Sequence, residues 1–149
     1  MSRVTDPNTV GSLAATLVNM FGGAAAQVHG DAATQISTVT HDSRAVDSGT
    51  LFACLRGGRV DGHDFAEAAV EAGASALLVD HRLDGATVGG VTQLIVDDTR
   101  LRLGPIAATL MDDPSRRMTT VGITGTNGKT TTSLMIESIL VAHGQRVGV

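Results

Sequence analysis

Apolar positions along the chain follow two rhythms, one of period near 3.6 and one of short continuous runs, and the switches between them mark out the elements. Leu13, Leu17, Met20 and Phe21 fall on one face of a helix that Ser12 is placed to cap and that Gly22-Gly23 stops. Two β-rich runs follow, residues 36–40 and 50–55, separated by the polar stretch His41-Asp42-Ser43-Arg44 and a turn at Asp47-Ser48-Gly49. After a glycine-rich link over residues 56–61, DGHDFAEAAVEAGA opens with acidic residues, carries Phe65, Ala68, Ala69 and Ala72 at helical spacing, and closes on Gly73. That pattern predicts a helix. SALLVD and TQLIVDD read as short buried strands, and residues 101–111 as another helix closed by Asp112-Asp113-Pro114. Near the end, TTVGITG reads as a strand, GKTTTSLMIESILVAHG as a helix stopped by Gly144, and RVGV as the opening of one more strand.

Strand, helix, strand with tight glycine stops is the grammar of an α/β layer with a parallel sheet. The sequence divides into a first domain over residues 1–97 and the start of a second over 98–149. One strand, one helix and a strand stub cannot close a two-sided core, so the second is expected to be incomplete and the chain to be the front part of a longer protein.

Composition narrows the functional classes. Hydrophobic residues make up 42% and charged ones 17%, a globular balance. Three Phe with no Trp or Tyr leave little from which to build a base-stacking platform, and a net charge of −4 without a basic run disfavours nucleic acid as a partner. The N-terminal apolar stretch is interrupted by Asn19 and is too short for a bilayer span, so no membrane association and a cytoplasmic location are expected. The single cysteine, Cys54, lies in an apolar run and reads as a buried small hydrophobe in a reducing compartment. His29, His41, His63, His81 and His143 form no close pair in sequence, and their spacing supports no metal site.

The strongest chemical signal is GITGTNGKTTT, residues 122–132. A strand that runs into glycines and then opens a helix gathers free backbone N–H groups and the positive end of the helix dipole around one point, which favours an anion. Gly125 and Gly128 give the loop its freedom, Lys129 offers a charge to β- and γ-phosphates, and Thr130 offers a hydroxyl to Mg²⁺. The spacing is shorter than the usual G-x-x-x-x-G-K-[ST], which needs glycine where Ile123 stands, and no G-x-G-x-x-G dinucleotide pattern is present.

Upstream, Asp42, Ser43 and Arg44 fall at a strand end, and Gly57 and Gly58 between Arg56 and Arg59 make a backbone-rich loop before Asp61-Gly62-His63. Such places recognise ligands in an α/β layer. The same residues also suit structural roles: an Asx-type or Ser turn at Asp42 and Ser43, and helix capping at Asp61 and Asp64.

GITGTNGKTTT resembles the shortened ATP loop of the Mur ligases, the ATP-dependent amide-forming enzymes of peptidoglycan precursor synthesis, with folylpolyglutamate synthetases as relatives. Asp42-Ser43-Arg44, Gly49-Thr50-Leu51-Phe52-Ala53-Cys54, Asp61-Gly62-His63-Asp64-Phe65 and Gly73-Ala74 resemble the amino-terminal domain shared by the MurE and MurF branches. Phe52-Ala53-Cys54 departs mildly from the usual F-V-A. Thr126 and Asn127, with the approach DDPSRRM, favour MurE. The resemblance covers nearly all of residues 36–149 and only weakly the first 35.

What it implies is an ATP- and Mg²⁺-dependent ligase, expected as a monomer, that phosphorylates the D-glutamate side-chain carboxylate of UDP-MurNAc-L-Ala-D-Glu and lets the amine of a diamino acid attack the acyl phosphate. By the same resemblance His41, Ser43, Gly58, Arg59 and Val60 contact the UDP-sugar peptide. Gly125, Thr126, Asn127, Gly128, Lys129, Thr130 and Thr131 hold ATP, with Lys129 acting on the transferred phosphoryl and Thr130 near the metal. The rest of the ATP domain and the carboxy-terminal domain that selects the amino acid are not in the chain, so ligase activity is not expected of these residues alone. A MurF-type ligase adding D-Ala-D-Ala and a non-catalytic UDP-sugar or nucleotide-binding module are the alternatives.

Overall fold

The computed structural model describes residues 8–22 and 26–148. It divides into two compact units, the first ending at Pro114 and the second running from Ser115. The division falls one helix later than the sequence boundary at 97/98, because the helix after the last strand packs against the first helix and the sheet.

The first unit is a five-stranded sheet. Its elements are helix α1 (Val10–Phe21) and strand β1 (Ala26–His29), then β2 (Thr38–Thr40), β3 (Thr50–Ala53), helix α2 (Ala66–Glu71), β4 (Ala76–Val79), β5 (Thr92–Val96) and helix α3 (Thr99–Leu110). The spatial order is β1-β5-β4-β3-β2. β2 through β5 are mutually parallel, and β1 closes the edge antiparallel to β5 with Ala26 opposite Val96 and His29 opposite Gln93. Sequence reading misses β1, whose four residues Ala-Gln-Val-His carry too little pattern to distinguish from a loop.

Every residue of β3 and β4 is buried, as expected for parallel strands covered on both faces. Leu51, Ala53, Ala76, Leu78, Leu94 and Val96 face α1 and α3, meeting Leu13, Leu17 and Ile106. Phe52, Cys54, Leu77 and Val79 face the other way, toward Ala66 and Ala69 of α2 and Val88. The result is three layers.

Several local expectations shift. Thr9, not Ser12, caps α1: its hydroxyl accepts the Ser12 N–H at 3.1 Å, and the buried stripe becomes Val10, Leu13, Ala14 and Leu17. Met20 and Phe21 stay exposed. The helix expected from Asp61 is a 3₁₀ turn, Gly62–Phe65, followed by the short α2, so the buried pair is Ala66 and Ala69 while Phe65 is 42% exposed. α3 starts two residues early because Asp98 accepts the Leu101 N–H at 2.9 Å. Its buried stripe includes Arg102 rather than the exposed Leu101. The Arg102 guanidinium pairs with both oxygens of Asp97, at 2.8 and 2.6 Å, and lies 3.8 Å over the Phe21 ring, so the charge is neutralised and its flat face stacked.

In the second unit a 3₁₀ turn (Pro114–Arg117) precedes helix α4 (Lys129–Ala142). The strand expected over 119–125 does not form, nor does one over the described residues 146–148. A strand needs a neighbour for its N–H and C=O groups, and the described residues of this unit supply none. No residue of α4 is buried. Among the described residues no helix is long and apolar enough to cross a membrane.

No regular helix connects β4 to β5; the connection is held by one side chain instead. Gln93 is fully buried, its Oε1 accepts from the Leu83 N–H at 2.9 Å, and its Nε2 donates to the carbonyls of Leu83 (2.8 Å) and Val88 (3.2 Å). Gln93→Leu strands these backbone groups, and chemical denaturation is expected to register a loss of ~2–4 kcal/mol. Gly62 is constrained differently: a Cβ there would lie 2.5 Å from the Leu55 nitrogen and 2.7 Å from its oxygen, so Gly62→Ala is expected to cost ~1–3 kcal/mol in the same assay.

Candidate functional site

With both faces of the sheet covered, polar chemistry collects where the strands end. The parallel strands β2, β3, β4 and β5 all finish at one edge, and the segments that leave it are residues 41–45, 56–65, 80–82 and 97–99. This carboxyl edge is where open α/β sheets take ligands.

Beyond β2, His41 is exposed and Ser43 begins a 3₁₀ turn, Ser43–Ala45, capped by Asp42. Asp42 accepts the Arg44 backbone N–H at 3.0 Å and grips the guanidinium with both oxygens, at 2.9 and 2.8 Å. The Asx-type turn is therefore real, and it presents Ser43 at the strand end. Beyond β3 a tight loop projects Gly58, Arg59 and Val60 into solvent. Its base is a bridge between Arg56 and Asp61, and the Gly57 N–H donates to the Val60 carbonyl at 3.0 Å. Thus the five predicted substrate contacts lie on two segments leaving the neighbouring strands β2 and β3 at the same edge.

The Asp61-Gly62-His63 stretch follows. Asp61 caps the 3₁₀ turn by accepting the His63 N–H at 3.0 Å, confirming its structural role, and the same oxygen lies 2.6 Å from His63 Nδ1. Beyond β4, Asp80 meets Arg56 (Nε to Oδ2, 2.7 Å) and His63 (Nε2 to Oδ1, 3.4 Å), and His81 stacks toward His63 with ring centroids 4.9 Å apart. Sequence spacing kept His63 and His81 apart; the strand β4 brings them together. The signal that finds this cluster is positional, since all its members follow the ends of adjacent parallel strands. Burial pushes Asp80 up, but the His81 hydrogen bond and the charges of His63 and Arg56 outweigh it and leave the carboxyl below its ordinary value. Cys54 lies fully buried, and burial, with Asp61 and Asp80 adding, pushes its thiol up to about 12. It is no nucleophile, as its place in an apolar strand predicts.

The phosphate-loop residues lie in the second unit, exposed and in one segment. Gly125 and Gly128 have φ of +151° and +79°, and Gly128 serves as the N-cap of α4. The Thr132 N–H closes the first helical turn on the Gly128 carbonyl at 2.9 Å, which leaves the N–H groups of Lys129, Thr130 and Thr131 without intrahelical partners. Lys129 folds back, its Nζ donating to the Gly125 carbonyl at 2.7 Å, so the ammonium sits over the loop itself. Free N–H groups, a helix N-terminus and one cation fit a polyphosphate.

The hydrogen bonds from Arg44 hold the Asp42 carboxyl at about 2, down from its ordinary 3.8. The depressed value means that this pair favours the folded turn above the ordinary carboxylate range and loses that contribution as pH falls toward 2. In Arg44→Ala, NMR titration of Asp42 is expected to move up toward 3.8.

Residues 35–111 match the Mur ligase family, catalytic domain. Curated relatives include proteins of Streptomyces coelicolor, 45% identical over 72% of this chain and 21% of the relative, and of Alkaliphilus metalliredigens, 37% identical over 82% and 24%. Both are named UDP-N-acetylmuramoyl-L-alanyl-D-glutamate--2,6-diaminopimelate ligase. The chain thus spans about a fifth to a quarter of the length of these relatives. Among solved structures it is similar to the UDP-N-acetylmuramoylalanyl-D-glutamyl-2,6-diaminopimelate--D-alanyl-D-alanyl ligase of Acinetobacter baumannii, with TM-score 0.69, 29% identity, and coverage of 95% of this chain and 30% of that one. It is also similar to the MurF ligase of Thermotoga maritima in complex with ADP, with TM-score 0.53, 26% identity, and coverage of 70% and 23%. The matched stretch takes in the parallel strands, their carboxyl edge and α3, and the chain belongs to the Mur ligase family.

Proposed function

We propose that this chain carries the sugar-nucleotide edge and the ATP loop of a MurE-type ligase, which adds a diamino acid to UDP-MurNAc-L-Ala-D-Glu in the cytoplasm. The observation that carries the reading is the shared name of curated relatives at 37–47% identity. Their name also makes 2,6-diaminopimelate the favoured amino acid.

In this reading the first unit, through Pro114, is the UDP-muramoyl-peptide domain, one helix longer than the expected 1–97, and the unit from Ser115 begins the ATP domain. The turn capped by Asp42 holds the Ser43 hydroxyl and His41 toward the UDP-sugar peptide, and the tip loop offers Gly58, Arg59 and Val60. In the second unit Gly125, Thr126, Asn127 and Gly128 line the phosphates with backbone groups. The N–H groups of Lys129, Thr130 and Thr131 bind the same anion, and the Thr130 hydroxyl serves Mg²⁺. Bound MgATP would give its γ-phosphoryl group to a D-glutamate carboxylate oxygen and leave as ADP, so that this oxygen could then depart with phosphate when the diamino acid's amine attacks. Lys129 exchanges its bond to the Gly125 carbonyl for the phosphates, neutralising charge that grows during transfer.

A MurF-type reading has its own support, the TM-score of 0.69 to the A. baumannii enzyme, against 0.60 at 24% identity for a solved diaminopimelate-adding ligase. The two differ in the acceptor, a muramoyl dipeptide or a muramoyl tripeptide.

Calorimetric titration with each acceptor and with MgATP tests both readings. UDP-MurNAc-L-Ala-D-Glu is expected to bind in preference to the tripeptide form, with Ser43→Ala weakening it ~10-fold or more. Lys129→Ala is expected to weaken MgATP ~10- to 100-fold, as loss of a charged hydrogen bond does, and to leave the acceptor unaffected. Preference for the tripeptide acceptor moves the assignment to MurF, and a folded chain that binds neither acceptor ends the substrate-edge assignment.

A further inference from the structure

We propose that His63, Asp80 and His81 form a binding site for a divalent late-transition ion, of which Zn²⁺ is the natural probe. The His63 side chain is only 7% exposed, and its Nε2 is buried with no hydrogen-bond partner. An orphaned ring nitrogen in that position is costly unless something electron-poor meets it. What it faces is electron-rich: Asp80 Oδ1 at 3.4 Å, with His81 Nδ1 against the same oxygen. The donor atoms of the three residues all lie within 4.8 Å of one another.

Asp61 makes this arrangement specific. Its Oδ1, 2.6 Å from His63 Nδ1, accepts the N–H of that nitrogen, and with the proton held there the lone pair of the neutral ring lies on Nε2. A carboxylate behind a histidine is the usual outer support of a metal-binding imidazole, since it both orients the ring and raises its basicity. A proton on Nε2 relieves the orphaned atom only if it aligns with Asp80, and the geometry makes no such hydrogen bond. An ion among three donors needs no single alignment.

Two imidazole nitrogens and one carboxylate oxygen select zinc and its late-transition neighbours over Mg²⁺ and Ca²⁺, which prefer all-oxygen shells. Tetrahedral zinc places its ligands about 3.3 Å apart. The His81 side chain is 54% exposed, and the ion takes the place of the proton that Nδ1 now shares with Asp80 Oδ1, that proton passing to solvent as the ring turns to set the distance. Arg56 is the cation already present, with Nε 2.7 Å from Asp80 Oδ2 and Nη2 3.2 Å from Oδ1. Being 63% exposed, it can yield Oδ1 and keep Oδ2. An ion here fastens residues 61–63 to the end of β4, and with them the base of the loop that displays Gly58, Arg59 and Val60.

The test is calorimetric titration of the whole chain with Zn²⁺ in excess Mg²⁺, with ¹⁵N chemical shifts of the histidine rings followed in parallel. One ion per chain is expected, with the largest shifts at His63 Nε2 and His81 Nδ1. His81→Ala, at an exposed position, is expected to weaken binding at least ~10-fold, and Asp61→Asn by ~10- to 100-fold, whereas His143→Ala leaves it unchanged. Absence of saturable binding overturns the proposal. So do unperturbed His63 ring shifts in the parent chain, a reading that needs no variant, and a His81→Ala chain that binds zinc as tightly as the parent.

Discussion

The burial of β3 and β4 on both faces is the constraint from which the rest of the first unit follows. No side chain in either strand reaches solvent, so layers must cover the sheet on both sides, and α1 with α3 and α2 with the 83–91 segment do so. Charged side chains are thereby confined to the strand ends. The carboxyl edge holds Asp42, Ser43 and Arg44, the 56–63 loop, Asp80-His81 and Asp97 because no other place near the centre of the sheet can solvate or pair them.

Much of this is legible in the sequence where a pattern acts locally. The strands β3, β4 and β5 are apolar runs between turn residues, and the phosphate loop is a contiguous motif in which Gly125 and Gly128 adopt positive φ. Other features depend on partners remote in sequence. β1 exists because β5 offers it an edge, and Arg102 can be buried because Asp97 and the Phe21 ring wait for it. The reverse case is the run at 119–125, strand-like in composition but forming no strand in this unit. Composition sets what a strand prefers; a neighbour decides whether it forms.

The candidate site divides in the same way. Ser43 and the loop glycines are visible as turn chemistry. The His63–Asp80–His81 group is invisible as spacing, since Asp80 comes 17 positions after His63 and only the β3-α2-β4 crossover joins them. Within DGH each letter has its own cause. Asp61 caps the turn and accepts from the imidazole, Gly62 lets the chain pass against the Leu55 backbone, and His63 brings its ring to the strand end. What looked like a single helix start is three separate requirements.

Gln93 carries a further meaning. Its amide touches the connection between β4 and β5 only through main-chain atoms of Leu83 and Val88. The instruction for that connection's shape is therefore written in β5, outside the connection itself. The side chains of Arg82, Asp84 and Thr87 take no part in those three bonds, so the path of the connection leans on a residue that lies outside it.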